Sequence, residues 1–299
     1  MVKLDKSQYT KSQWKVIKEQ RKKTKQQERE SREAAKKQVQ VNTISDNLEN
    51  QNKYKKEESK GKIAFVLGNG TSRANIPLSP LQQMGRVYGC NALYRHYKPD
   101  YLVAVDTKMI LEINKSGYQK KNEVWTNPNR SYVKFKHFNY FNPSKGWSSG
   151  PTALWLASEH KYETIYILGF DYRGLNDGKH FNNVYSNTAN YKKSTDSATF
   201  FGNWMRQTSS VIQTNPKINY VRVIEDDSYI PKDLAKFKNL KHINVKSFIE
   251  IIEETTNSWI NGLFWAYFCA LLYLLSKYIM TAPHWLSVIK FIGDRYGRS

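Results

Sequence analysis

Between residues 61 and 250 the chain alternates short apolar runs with longer amphipathic stretches, the pattern of a parallel sheet whose strands are joined by helical crossovers. KIAFVLG (62–68), RVYGCN (86–91), YLVAVD (101–106) and TIYILGFD (164–171) are compact apolar runs that stop at glycine or a polar side chain, as buried strands do. VWTN (124–127), YVKFKHF (132–138) and NYVRVIE (219–225) read as further strands. Helical spacing appears over 107–115, 150–161 and 194–213, and 242–254 reads as a short strand followed by a helix. The predicted fold class is α/β: a Rossmann-like, mostly parallel sheet with helices on both faces, flanked by a basic N-terminal helix and a hydrophobic C-terminal helix. No internal repeat is visible.

The flanks break the pattern in opposite directions. Residues 1–40 contain no Gly or Pro and are dominated by Lys, Arg, Glu and Gln. They predict a charged helix on which Trp14, Val16 and Ile17 are too sparse to form a core-facing stripe. The Asn- and Lys-rich residues 41–60 read as a linker. The expected domains are therefore a basic arm and linker over 1–60, a folded domain over 61–256, and an apolar tail over 257–299. No charged residue occurs from Trp259 to Leu275, and the stretch to Met280 meets the roughly 20 apolar residues that a bilayer-crossing helix needs. Trp259, Trp265, Tyr273 and Tyr278 suit membrane interfaces, and Lys277 is placed to snorkel. Pro283 ends the run, and HWLSVIKFIGDRYGR beyond it suits a helix lying on a surface. The alternatives for this stretch are a buried core helix or a homo-oligomer interface.

Charge narrows the partners. A formal net charge of +21 over 299 residues fits nucleic acid, an anionic membrane surface, or phosphorylated small molecules. Glu28, Glu30 and Glu33 interrupt the basic arm, which makes it a poor phosphate-tracking surface and nucleic acid the weakest of the three. Cys90 and Cys269 lie far apart and have neither disulfide-framework nor zinc-site spacing. The first residues show no apolar core of a secretory signal. The expectation is a cytoplasmic domain, membrane-associated through residues 259–292, since the basic load lies N-terminal to the apolar run.

In an open parallel sheet, ligands bind beyond the carboxyl ends of the strands, and polar residues cluster at those ends here. Gly68, Asn69, Gly70 and Ser72 follow the first strand, in a turn able to bring amides and hydroxyls against phosphate oxygens. The turn lacks both the Walker lysine and the three-glycine dinucleotide pattern. Asn91 ends the second strand. Asp106 ends the third, either facing a ribose or metal or capping the helix after it. Ser149 is the expected N-cap of a helix opened by Gly150 and Pro151, whose unpaired amides form an anion site. Asp171 ends the strongest strand, and the polar loop beyond it carries His180, Tyr185, Tyr191, Lys192 and Lys193, each a candidate acid, base or phosphate partner.

LGNGTSR, YGCNALY and SSGPTALWLASEHKYETIYILGFDYR, in that order, resemble the bacterial sialyltransferases of glycosyltransferase family 42. They also resemble the wider group of motility-associated nonulosonic-acid transferases and archaeal-type hydroxymethylpterin pyrophosphokinases. The resemblance covers roughly residues 62–215. It implies nucleotide contacts from Asn69, Gly70 and Asn91, and phosphate or donor-carboxylate contacts from Ser149 and Gly150. It implies that Tyr185 and Tyr191 assist departure of cytidine monophosphate, with no metal cofactor, and that the partners are a nucleotide-activated sugar and a glycan or protein acceptor. Two departures matter. No histidine stands before Ser194-Thr195-Asp196, where the sialyltransferases have their general base, which leaves His180 as the substitute. Asp106 stands where those enzymes have asparagine, which favours different donor chemistry or a metal-assisted relative. The alternative functions are magnesium-dependent diphosphate transfer from ATP to a hydroxymethylpterin, with Asp106 and Asp171 as ligands, and a non-catalytic scaffold or nucleic-acid-binding protein.

Overall fold

In a computed structural model of the chain, residues 10, 12–15, 17–20, 22–31, 33, 62–225 and 229–281 are described. Eight strands form one sheet: β1 (Ile63–Leu67), β2 (Arg86–Cys90), β3 (Tyr101–Val103), β4 (Val124–Thr126), β5 (Asn139–Tyr140), β6 (Thr164–Leu168), β7 (Asn219–Ile224) and β8 (Leu240–Asn244). Their order is β5-β4-β3-β2-β1-β6-β7-β8, and every adjacent pair is parallel. Chain order reverses between β1 and β6, which makes the space above those two strands the topological switch point. The fold is an α/β, Rossmann-like one.

The alternation of β1 shows why helices cover both faces. Ala64 and Val66 belong to one apolar cluster, with Ala153, Leu154 and Ala157 of α2 (Ser149–Glu159) and Val211 and Ile212 of α3 (Gly202–Thr214). Phe65 and Leu67 belong to the other, with Met109, Ile110 and Ile113 of α1 (Thr107–Ser116) and Phe248 and Ile252 of α4 (Val245–Thr281). Period-2 strands buried on both faces read as continuous apolar runs, which is why the strands were legible.

Four expectations need correction. Residues 132–138 are turns, because Tyr132 and Phe135 amides bond back to Asn129 and Tyr132 carbonyls, at 3.0 and 2.9 Å; β5 starts only at Asn139. The aromatic–lysine alternation there mimics a strand, while the buried Tyr132 and Phe138 rings pack from irregular backbone. Helix α3 begins at Gly202 rather than 194, since Asp196, Ser197 and Ala198 are drawn into an antiparallel pairing with the loop at His180. The N-cap of α2 is Ser148, not Ser149. The short helix after β8 and the apolar tail are one continuous helix, α4, long and apolar enough to cross a membrane. Within the N-terminal arm, the described residues 12–15, 17–20, 22–31 and 33 are helical and exposed apart from the half-buried Trp14 and Ile17. The linker 41–60 and the surface helix expected after Pro283 lie outside the described residues.

Candidate functional site

A cleft of about 540 Å³ opens above the C-terminal ends of the strands at the switch point. Its floor is the turn after β1. Gly68 donates to the Leu168 carbonyl at 2.8 Å and Gly70 to that of Gly169 at 2.9 Å, so the ends of β1 and β6 are laced together. The approach is too close for side chains: a Cβ on Gly68 would lie 2.6 Å from the Gly169 oxygen, and one on Gly70 would collide with the Asp171 carboxylate. That carboxylate accepts from the Ser72 amide at 3.1 Å and from the Ser72 hydroxyl. Ser72 and Asp171 therefore brace the turn, and Asp171 also borders the cleft while Ser72 sits beneath it. Beneath the same turn Arg73 is buried, donating to the Gly68 carbonyl, to Asn69 Oδ1 at 3.3 Å and to the Tyr185 hydroxyl at 3.2 Å.

The walls come from two helix N-termini. Ser148, Ser149, Gly150 and Pro151 bring the amides of α2 into the cleft, and Asp106, Thr107 and Lys108 do the same at α1. Neither Ser148 nor Asp106 caps its helix through its side chain. The Ser149 hydroxyl accepts from the Val105 amide at 3.1 Å and donates to Asn91 Oδ1 at 2.8 Å, tying β3 and the end of β2 to α2. Asp106 is thus aimed at the cleft rather than spent on a cap. Burial raises its pKa above the ordinary aspartate range, and the Asn91 side chain pulls it partly back. Gly150 keeps the helix start open, since a Cβ there would press 3.2 Å from the Phe170 ring.

The roof is the loop after β6. Asn182 accepts from the Thr71 amide and hydroxyl, both at 2.9 Å, and the Val184 amide bonds the Asn69 carbonyl at 2.8 Å, fastening loop to turn. Tyr191 lines the cleft; its oxygen accepts from Asn69 Nδ2 and from the Ala92 amide, both at 3.4 Å. Two incoming N–H groups leave its own O–H hydrogen to donate outward, and burial raises its pKa so that the proton stays on. Tyr185 is not a cleft-lining residue. It packs 5.4 Å behind the Tyr191 ring, between Arg73 and the guanidinium of Arg95. Arg95 also covers Tyr191 and is gripped by both oxygens of Glu112, at 2.8 and 2.7 Å. That bidentate pair holds the Glu112 carboxyl down at about 2.

Of the residues expected from the sequence, Gly68, Asn69, Gly70, Asn91, Asp106, Ser149, Gly150, Asp171 and Tyr191 converge on this cleft. His180 does not: its Nδ1 pairs with Asn176 at 2.8 Å and its backbone is bridged to Leu175 and Ser197, outside the cleft lining. No histidine lines the cleft among the described residues. Sequence reasoning missed Arg73, Arg95, Glu112 and Asn182, because each acts through a partner 17 to 112 positions away. It also missed Lys108 and Arg173, which with the expected Lys192 add positive charge to the cleft.

Among the described residues no group of three or more His, Cys, Asp or Glu is arranged to hold a metal. Of the two carboxylates expected to hold magnesium, Asp171 has both oxygens engaged by Ser72. Cys90 is buried, with its thiol pushed up to about 12, and Cys269 is exposed on α4; neither is in a disulfide.

Fold and site together define an α/β protein with a ligand cleft at its switch point. Comparison of the chain with protein-family models, with curated proteins and with solved structures finds no match. The function is therefore inferred from the site's own chemistry.

Proposed function

We propose that the protein is a glycosyltransferase that moves a sugar from a nucleotide-activated donor to a glycan or protein acceptor. On the resemblance described above, the donor is a cytidine-linked nonulosonic acid. The observation that carries this reading is one cleft holding an anion cradle, a tyrosine that keeps its proton, and a carboxylate of raised pKa. The amides of Ser149 and Gly150 at the α2 N-terminus receive the donor phosphate, with Lys108, Arg173 and Lys192 around them, because the amides of Gly68, Gly70, Thr71 and Ser72 are bonded within the protein. As the acceptor hydroxyl attacks the anomeric carbon, the glycosyl–phosphate bond breaks and the nucleotide leaves with the electron pair. The Tyr191 hydroxyl donates to the phosphate oxygen on which charge grows. Asp106 takes the proton from the acceptor, the role that His180, held outside the cleft, does not fill. This chemistry uses no metal.

The tail supports a location. α4 is exposed on all sides over 262–277, as a helix surrounded by lipid is.

The reading is tested by incubating the detergent-solubilised full chain with a CMP-linked nonulosonic acid and measuring release of cytidine monophosphate. Release is expected, and Asp106→Asn should slow it by about 10²–10⁴-fold, the range for a lost general base. Release unaffected by that substitution would remove Asp106 from the mechanism. No release with any sugar nucleotide would remove the proposed activity.

A further inference from the structure

We infer that the amino edge of the sheet is a docking surface for an anionic lipid bilayer, so that the cleft at the opposite edge opens away from the membrane into water. This rests on the reading of α4 as membrane-inserted and adds to it an orientation, a lipid chemistry and an acceptor route.

The topology fixes the geometry. All eight strands are parallel, so every strand begins at one edge of the sheet and ends at the other, where the cleft lies. Helix α4 starts at the carboxyl end of β8, at the cleft edge, and doubles back along the sheet. Phe248, one turn in, packs against Phe65 and Tyr166 at mid-sheet, with ring centroids 6.2 and 5.2 Å apart. Ile252, one turn further, is still buried in the same cluster. A five-residue strand spans roughly 16 Å, which a helix covers in about 11 residues. α4 therefore passes the amino edge near Glu253 and Glu254, the last acidic residues before its apolar run. From Gly262 to Lys277 every residue is exposed, Trp265 at 61%. The helix enters the bilayer directly beneath the amino edge.

A second, independent feature lies on that same edge. The turns leading into β1, β3, β4, β6, β7 and β8 each carry an exposed lysine: Lys62, Lys98, Lys121, Lys161, Lys217 and Lys238. These residues are scattered through the sequence, and only the parallel sheet brings them onto one surface. Acidic residues there do not cancel them fully. Asp100 is paired with Arg86 at 2.7 Å, and Glu123, Glu159 and Glu163, with Glu253 and Glu254 where α4 leaves the edge, offset most of the six lysines and leave a small positive excess. Lysines beside an inserted helix are attracted to the negative surface potential of anionic lipid, an effect that salt weakens. The cleft stands at least a strand length above that surface, so acceptors reach it from the aqueous phase and not from within the lipid layer.

The test uses the full chain carrying Cys269→Ser, reconstituted with phosphatidylcholine vesicles with and without phosphatidylserine. A dye is placed at Lys217→Cys on the amino edge or at Lys193→Cys beside the cleft, with a headgroup-linked quencher lipid present. Quenching at position 217 and little at 193 is expected. Lys62→Glu, Lys161→Glu and Lys238→Glu together should abolish the preference for phosphatidylserine while leaving flotation with phosphatidylcholine intact. Equal quenching at both positions, or more at 193, would overturn the orientation although α4 still inserts. A lysine triple that loses retention of a DNA duplex but keeps its lipid preference would assign the surface to nucleic acid instead. A chain that does not float with either vesicle would remove the membrane reading, and the orientation with it.

Discussion

The two loop tyrosines look equivalent in sequence, but their surroundings assign them different tasks. Tyr191 faces the cleft and has a proton to give, so Tyr191→Phe should lower the rate of nucleotide release by about 10²–10³-fold, as loss of a charge-stabilising donor does, with little change in stability. Tyr185 faces away from the cleft and satisfies a buried guanidinium. Tyr185→Phe strips Arg73 of one acceptor and should cost about 1–3 kcal/mol in denaturant unfolding, with a smaller kinetic effect. The reverse pattern would mean that Tyr185 carries the chemistry. Asp106 adds a pH signature. Because its pKa is raised and the base form is the active one, the rate should climb with pH over a limb placed above the ordinary aspartate range, and Asp106→Asn should erase that limb.

Two elements, the turn after β1 and the loop after β6, make the cleft by holding each other. The clip from β2 side to loop is Arg95, which bonds Glu112 on α1 and reaches Thr188 and the Ala189 carbonyl of the loop, both at 2.9 Å. Glu112→Gln should therefore loosen the tyrosine loop and raise the donor KM while leaving the sheet intact, a change readable by limited proteolysis of 180–196. The sign with pH follows from the lowered carboxyl. Its contribution is complete above about 4.5 and fades as pH falls toward about 2. Much of this architecture was legible in the sequence because buried parallel strands leave uninterrupted apolar runs that stop at polar ends, as at Gly68, Asn91, Asp106 and Asp171. The loop was not legible. Asn182 and Arg95 carry no local signal, and the aromatic–lysine alternation of 132–138 imitates a strand where the backbone turns. His180 looked catalytic for its residue type alone, whereas two backbone bridges fix it outside the cleft.

At the scale of the whole molecule, stability and function have separate pH dependences. His160 is buried between α2 and β6, its Nδ1 bonded to the Tyr88 hydroxyl, and burial lowers its pKa to about 4. A histidine kept neutral in the fold contributes fully above pH 6.5, and that contribution declines as pH falls toward about 4. The thermal midpoint should drop across that window, and His160→Asn should flatten the drop; a midpoint unchanged from 7 to 4 would contradict it. The central claim, that the switch-point cleft binds a nucleotide-activated sugar, meets its most direct test in thermal titration of the full chain against CMP, CDP, UDP, GDP and ATP, each with and without magnesium. At a hundredfold the dissociation constant a ligand stabilises the fold by about 2.7 kcal/mol, a plainly measurable shift. A magnesium-independent rise with CMP, abolished in Gly70→Ala, where the added methyl meets the Asp171 carboxylate, is the predicted result. No rise with any nucleotide, or one only with ATP and magnesium, would contradict it.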